Sequence, residues 1–301
     1  MNKHAYLIIA HNEFYILKKL LKLIDAPFND IYIHIDKKTK NVDFKELEKC
    51  VKKSKIYFTE RINVKWSEYS QIECEYLMLK EATKNNRYSY YHLLSGVDML
   101  LKDAKTIYDF FEKNKGKEFV AFQDFDSIND EAKSRVQYYH LLNGNRRHKN
   151  KCIRVSSSII HRLVIWIQKK LKINRIKKSK LEYRKGANWF SITDDLARYV
   201  LTKEKEISKT FKHTNCADEV FLQSIVYNSS FKEKVYRKHK EEHCDTKRHI
   251  DWKRGTPYTF TKDDYKELIN SNNFFARKFS TVTDKEIIDM IYKKIKEQKN
   301  D

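Results

Sequence analysis

Tyr6-Leu7-Ile8-Ile9-Ala10 opens the chain as a short continuous apolar run, the form of a strand buried on both faces. Phe14, Leu17, Leu21 and Ile24 then recur at helical spacing, and Ile31-Tyr32-Ile33-His34-Ile35 makes a second strand that ends at Asp36. The alternation continues. A helix is expected over 44–51, a third strand over 56–58, a strong helix over 72–82 and a fourth strand over 90–94. Ser95-Gly96-Val97-Asp98 follows, then a helical stretch at 107–111 and a fifth strand at 119–122. Strand, helix, strand repeated in this way implies right-handed crossovers and an α/β fold, a mainly parallel central sheet flanked by helices. Ligands of such sheets bind at the carboxyl ends of the strands. Three polar sites fall there: His11-Asn12-Glu13, Asp36, and Ser95 to Asp98. Neither G-x-G-x-x-G nor a P-loop occurs, which argues against a dinucleotide-dependent oxidoreductase and a P-loop kinase.

A chain of 301 residues with 41% hydrophobic and 13% aromatic content can bury a large core. It has only 5 Gly and 2 Pro, so few sharp loops are expected. The 62 Lys and Arg against 41 Asp and Glu give a net charge of +21, spread almost everywhere. A diffuse excess raises affinity for any polyanion, whether nucleic acid, anionic membrane or phosphorylated substrate, and chooses none of them. The cysteines (Cys50, Cys74, Cys152, Cys216, Cys244) have neither metal-ligand nor redox spacing and read as reduced thiols. No cleavable leader pattern precedes the first strand, and no apolar run approaches the ~20 residues that span a bilayer. These features point to a cytoplasmic protein.

The middle of the chain carries a basic amphipathic helix at about 157–172. Ile159, Ile160, Leu163, Val164, Ile167 and Leu171 fall on one face. Arg162, Lys169, Lys170, Lys172, Arg175, Lys177 and Lys178 load the other face and the following loop. Such a helix with Trp166 either lies in an anionic membrane interface or packs its apolar stripe on the core. No nucleic-acid-binding motif accompanies the charge, so nucleic acid is not the expected partner.

The segments that carry chemistry come later. Lys185-Gly186-Ala187-Asn188-Trp189-Phe190 leads into a strand, and Asp194 is expected to cap the next helix. Asn215-Cys216-Ala217-Asp218-Glu219 opens another helix. Acidic residues suit a first helical turn, and a carboxylate there can also face a cleft as a general base. His249-Ile250-Asp251-Trp252-Lys253-Arg254-Gly255 precedes a short helix at 263–269. Then comes Phe274-Phe275-Ala276-Arg277-Lys278-Phe279. Alternation along a strand sends Phe275, Arg277 and Phe279 to one face and Phe274, Ala276 and Lys278 to the other. Each face then sets one cation among apolar groups, and such a charge needs an anion from the fold or from a ligand, for which phosphate is the natural choice. The plainer reading is an edge strand whose cations reach water.

Four segments in this order resemble the core-2/I-branching β-1,6-N-acetylglucosaminyltransferase family (glycosyltransferase family 14), which includes the peptide O-xylosyltransferases. They are Ser95-Gly96-Val97-Asp98 with Lys102, Gly186-Ala187-Asn188-Trp189, Ala217-Asp218-Glu219 with Phe221, and residues 274–279. The stretch from Tyr6 through His11 to Asp36 fits as well, so the resemblance covers nearly the whole chain. It implies a single GT-A-like domain, with a nucleotide-binding half at about 1–125 and an acceptor half at about 126–301. It also implies a UDP-sugar donor, inversion at the anomeric carbon and catalysis without a divalent metal or other cofactor. By position it makes Glu219 the general base and Lys278 the diphosphate-binding lysine. Arg254 is near the place of an assisting cation, while His11 and Asp36 belong to the donor side. Asp98, Trp189 and Asp218 match positions on the acceptor and sugar side. Ala217 stands where the family has proline, a departure expected to alter how the turn begins rather than the chemistry.

Fixed cations in a low-dielectric cleft can neutralise a departing UDP as a metal does. Against this stands Asp124-Phe125-Asp126, an Asp-x-Asp at the end of the fifth strand, where a metal-dependent GT-A enzyme carries one. Two other classes remain open: a non-catalytic scaffold at an anionic membrane, and a nucleic-acid-binding protein. The family allows N-acetylglucosamine, xylose or another sugar. The expected acceptor is a glycan or lipid-linked oligosaccharide at the inner face of a bacterial membrane, in capsule, exopolysaccharide or lipopolysaccharide assembly.

Overall fold

The structure, a computed structural model, describes residues 2–123, 130–177, 179–237 and 246–298. Asp124-Phe125-Asp126, Lys178 and Cys244 lie outside the described residues. The strands are β1 (His4–Ala10), β2 (Asn29–Ile35), β3 (Lys55–Phe58), β4 (Tyr90–Ser95), β5 (Met99–Leu100), β6 (Phe119–Val120), β7 (Phe190–Thr193), β8 (Arg248–Ile250) and β9 (Phe275–Arg277). The helices are α1 (Phe14–Ile24), α2 (Phe44–Glu48), α3 (Ser70–Asn85), α4 (Ala104–Lys113), α5 (Asp130–Gln137) and α6 (Lys151–Lys170). They continue with α7 (Asp194–Thr202), α8 (Glu204–Phe211), α9 (Phe221–Tyr227), α10 (Tyr265–Ile269) and α11 (Lys285–Gln298).

The main sheet has the order β3-β2-β1-β4-β7-β6. β3, β2, β1 and β4 are parallel, as the strand–helix repeat predicts. β7 breaks the pattern. It enters antiparallel between β4 and β6, so the fifth predicted strand pairs only with β7 and shrinks to two residues. The two halves expected from the sequence therefore share this sheet. Alternation along β1 divides the core. Ala5 and Leu7 join α3, α7, α8 and α9 on one face, while Tyr6, Ile8 and Ala10 join α1, α4 and α11 on the other.

A second sheet, β5-β9-β8, lies against the α1 side of the core. β5 follows Asp98 directly and pairs antiparallel with β9, and β8 runs parallel to β9. The cationic strand is thus a central strand with neighbours on both sides, which overturns the edge-strand reading. β5 and β8 are too short to show a hydrophobic period, and they form because β9 lies beside them. Thr193, rather than Asp194, caps α7, its hydroxyl accepting from the Leu196 amide at 3.3 Å, while Asp194 sits in the first turn.

Sequence order runs β1-β2-β3 outward and then returns to β4 on the other side of β1, so the topological switch point lies between β1 and β4. Gly96 sits there. Its amide donates to the Ile9 carbonyl at 2.9 Å, and a Cβ would stand 2.8 Å from the Ala10 Cβ. Gly186 is more constrained still, since a Cβ there would lie 1.9 Å from the Ala121 carbonyl oxygen at the end of β6. Backbone cannot retreat as a flexible side chain can. We expect Gly186→Ala to destabilise the protein by about 3 kcal/mol or more, the upper end for overpacking. Thermal denaturation measures it, and an unchanged melting temperature contradicts the packing described.

Candidate active site

The carboxyl ends of β1, β2 and β4 form the floor of the site. The Asp36 amide donates to the Ala10 carbonyl at 3.0 Å. Its carboxylate, 6% exposed, accepts from the Lys38 amide at 2.8 Å and the Val64 amide at 3.3 Å, with the Lys38 ammonium at 3.4 Å. Arg61 closes this loop by donating to the carbonyls of Ile35 and Asp36 at 3.0 and 2.8 Å. His11 lies beside it, its carbonyl accepting from the Thr39 hydroxyl at 3.0 Å, and partial burial lowers the pKa of its imidazole against the opposing pull of Asp36. Asp36 thus spends part of its acceptor capacity on its own loop, and its remaining lone pairs are what a donor can use.

One wall is built by the cationic strand. The Arg277 guanidinium stacks 3.8 Å above the Trp189 ring. Its Nε is 3.7 Å from Asp98 Oδ1, close enough to pair but too far to hydrogen bond. Asp98 is held from below by the Ser95 amide at 3.0 Å and the Ser95 hydroxyl at 2.5 Å. Arg248, fully buried, donates to the carbonyls of Thr246, Leu93 and Phe190 at 2.6, 3.0 and 2.6 Å and faces the same carboxylate electrostatically. Burial lowers the pKa of both guanidinium groups, that of Arg248 to about 9, with Asp98 opposing it. Two guanidiniums share one carboxylate, so the cluster keeps an excess of positive charge.

Lys278 follows β9 and is half-buried. Its amide donates to the Tyr258 carbonyl at 3.3 Å and its carbonyl accepts from the Phe260 amide at 3.0 Å. Among the described residues, no carboxylate pairs with its ammonium. Glu13 clamps the chain just beyond. Its carboxylate accepts from the Ser280 hydroxyl at 2.8 Å and the Thr281 hydroxyl at 2.6 Å, so Lys278 is tied to the end of β1 next to His11.

The 186–189 segment, through Trp189 a neighbour of Arg277, also touches a turn that carries two carboxylates. A single 3₁₀ turn, Ala217–Glu219, starts from Cys216 in the left-handed conformation (φ 46°), so the turn forms without the family's proline. The Glu219 carbonyl accepts from the Gly186 amide at 3.0 Å. Its Oε2 accepts from Arg135 on α5 at 2.7 Å, while Oε1 has no partner among the described residues, and the side chain is 34% exposed. The neighbouring Asp218 turns inward. Its Oδ2 accepts from Gln71 at 2.7 Å and Asn188 at 3.3 Å, and its Oδ1 is buried without a partner among the described residues. Glu75, one turn beyond Gln71 on α3, is also fully buried, with Oε2 unpartnered among the described residues. Burial, reinforced by the neighbouring carboxyl, pushes Asp218 up to about 7 and Glu75 well above the usual carboxylate range.

A sequence profile described as "Branch: Core-2/I-Branching enzyme" matches residues 4–275. The chain belongs to the Core-2/I-branching enzyme family. It is a glycosyltransferase with a GT-A-like α/β fold, and the family uses UDP-sugar donors and glycan acceptors. No curated protein sequence matches it significantly. Among solved structures, the apo crystal structure of mouse xyloside xylosyltransferase 1 is similar over 92% of this chain and 97% of that one, at 9% identity and a TM-score of 0.37. A likeness that loose bears on neither substrate nor site.

In this Core-2/I-branching enzyme the four motifs converge through named contacts. Asp98, Arg277 and Trp189 join three of them, and the Gly186–Glu219 and Asn188–Asp218 hydrogen bonds join the fourth. Arg277, one of the two cations that need an anion, finds one within the fold in Asp98, and it also packs on Trp189. Arg254 does not present a free cation. It pairs with Asp251, with Asp264 at 2.5 Å and with Glu267 at 2.8 Å, so three carboxylates already offset its charge. Asp218 and Asp98, 5% and 2% exposed, position the Asn188-Trp189 segment and Arg277 rather than reaching solvent. Sequence reasoning missed Arg135, Arg248 and Glu75, and placed Glu13 at a polar strand end without its clamp on Ser280 and Thr281. Asn188, inside a quoted motif, was findable, whereas Arg135 in a charged helix carries no local signal.

Glu75 gives a test of this buried chemistry. Its folded pKa lies above the unfolded value, so its contribution to stability is present below about pH 4.5 and lost as pH rises toward the folded pKa. Glu75→Gln removes the ionisation. We expect the melting temperature of the variant to gain on wild type between pH 5 and pH 8 by several degrees, since each tenfold change in a proton affinity is worth about 1.4 kcal/mol. An equal difference at both pH values contradicts it.

Proposed function

We propose that the enzyme transfers N-acetylglucosamine or xylose from its UDP-sugar to a glycan hydroxyl with inversion, Glu219 acting as general base and Lys278 stabilising the leaving UDP. The observation that carries this reading is the Glu219 carboxylate, which has one oxygen held by Arg135 and the other, at a partly exposed position, without a partner among the described residues. An acceptor hydroxyl is a poor nucleophile at neutral pH, so a carboxylate must take its proton as it attacks. With Oε2 fixed, Oε1 is oriented without further side-chain ordering. Attack opposite the departing diphosphate forms the new C–O bond as the old one breaks and inverts the anomeric carbon.

The diphosphate gains charge as it leaves, and preorganised cations are most effective at that point. Lys278 is half-buried and unpaired among the described residues, and it stands beside the positive Arg277–Arg248 cluster. His11 and Asp36 line the donor side at the switch point, and Trp189 offers an aromatic face toward the sugar and acceptor. The transfer is read as independent of a divalent metal, with an acceptor that is a glycan or lipid-linked oligosaccharide of cell-surface polysaccharide or lipopolysaccharide synthesis, reached from the cytoplasmic side.

Glu219→Gln is expected to lower kcat by about 10²–10⁴-fold with UDP affinity unchanged. Lys278→Ala is expected to weaken UDP binding by about 10- to 100-fold, the range for a hydrogen bond to a charged group. Calorimetry with UDP and turnover of a UDP-sugar panel measure both. Retained UDP affinity in Lys278→Ala removes the role given to that lysine, and failure of every UDP-sugar to bind removes the donor assignment. Activity is expected to persist in excess chelator. Complete loss that manganese restores assigns the leaving-group charge to a metal instead.

A further inference from the structure

α6 is oriented against the usual rule for a surface helix. The residues it buries are polar. Ser157 is 4% exposed and Gln168 5%, and Gln168 holds the Tyr139 backbone from both sides, accepting from its amide at 2.8 Å and donating to its carbonyl at 2.9 Å. His161 lies 3.2 Å from the Leu141 carbonyl on the same side. The apolar stripe faces outward. Ile159, Leu163, Trp166 and Leu171 are 53–67% exposed, and Ile160 and Ile167 flank them at 46% and 41%. Of 14 large apolar side chains exposed among the described residues, 11 lie between Tyr139 and Leu171. Monomeric soluble proteins rarely leave a continuous patch of this kind uncovered.

The charge around the patch is one-sided. Residues 132–181 contain 15 Lys and Arg and no Asp or Glu. Arg162, Lys169, Lys170 and Lys172 border the stripe, and the Lys170 ammonium lies 5.8 Å from the Trp166 ring. A second copy of the chain would bring like charges face to face, and nucleic acid offers nothing for six exposed apolar side chains. Anionic lipid answers both features: acyl chains take the stripe and headgroups take the cations. No described helix is long and apolar enough to cross a membrane, so the fit is to a helix lying in the interface plane.

We propose that α6 docks the enzyme on the surface of an anionic lipid bilayer, with Ile159, Ile160, Leu163, Trp166, Ile167 and Leu171 inserted at the headgroup boundary. The helix is coupled to the catalytic side through its own C-terminal strap. Arg175 donates to the carbonyls of Val136, Tyr138 and Thr210 at 3.1, 3.0 and 2.7 Å, which fixes the strap to the end of α5. α5 carries Arg135, the partner of Glu219. Docking therefore deepens the transfer reading by placing the acceptor at the lipid surface, and it rests on that reading only for this consequence.

The test uses the full chain and phosphatidylglycerol-containing vesicles, with neutral phosphatidylcholine vesicles as the control and neither donor nor acceptor present, so failure of docking and failure of transfer are read separately. Cosedimentation is expected with anionic vesicles and to fall steeply with salt. Tryptophan emission is expected to shift to the blue on binding, and Trp166→Phe to abolish the shift. Ile160→Ser/Leu163→Ser/Trp166→Ser is expected to lower vesicle affinity at least tenfold with UDP binding intact. Arg162→Gln/Lys169→Gln/Lys170→Gln is expected to remove the preference for anionic lipid. Absence of vesicle binding overturns the proposal, as does binding unchanged in both triple variants. Self-association that the apolar variant abolishes assigns the face to a second copy instead and equally overturns it.

Discussion

A guanidinium taken out of water must find an anion, and the Arg277–Asp98 pair is where this fold meets that demand. Breaking a buried pair by removing one partner costs on the order of 3–5 kcal/mol, because the other charge is left uncompensated. The pair therefore binds together the segments that contain it. Asp98 belongs to the turn after β4, held by Ser95, and Arg277 belongs to the central strand of the second sheet. Trp189, stacked on Arg277, brings in the strand that crosses antiparallel beside β4. Three stretches far apart in the chain meet at one ionic contact, and the walls of the site are set by it.

Charge in the cleft is distributed by how much each cation is already spent. Arg254 has three carboxylates around it, while Arg248 gives its donors to carbonyls inside the protein and shares Asp98 with Arg277. Among the described residues no carboxylate pairs with Lys278, whose backbone bonds to Tyr258 and Phe260. The fixed positive charge left uncompensated therefore lies along β9 and just beyond it, and a low-dielectric wall makes it more effective toward a diphosphate than the same charge in water. The acid residues of the 217–219 turn and α3 are divided by depth. Burial strips Asp218 and Glu75 of easy ionisation, while the adjacent Glu219 reaches toward solvent with one oxygen unpartnered among the described residues.

The basic helix extends the same logic to the outside of the molecule. Amphipathicity guarantees an apolar face but not its direction. Here polar anchors, Gln168 and Ser157, hold the inner side and leave the stripe to face away from both cores. The following Arg175 links this outer surface to α5, whose Arg135 holds the Glu219 carboxylate. Acceptor capture and proton transfer are thus mechanically adjacent in the proposed reaction.

Much of this was legible in the order of residues. Continuous apolar runs such as Tyr6 to Ala10 and Ile31 to Ile35 determine buried parallel strands, because only a strand covered on both faces tolerates them. Their polar ends at His11, Asp36 and Ser95 to Asp98 mark the cleft, because parallel strands deliver their carboxyl ends to one side. Four motifs in order, together with the matching start of the chain, pointed to the family that the profile over residues 4–275 shows. What the tertiary structure alone decided are matters of partnership between side chains and between strands. β5 and β8 exist because β9 lies beside them, β7 is inserted antiparallel, Arg254 is neutralised by carboxylates of its own neighbourhood, and Arg135 reaches Glu219 from 84 residues away. A residue type and its spacing determine what a side chain can do. Which charges remain unpaired, and which face of an amphipathic helix is left uncovered, depend on every other group that packs nearby, and no local pattern contains that information.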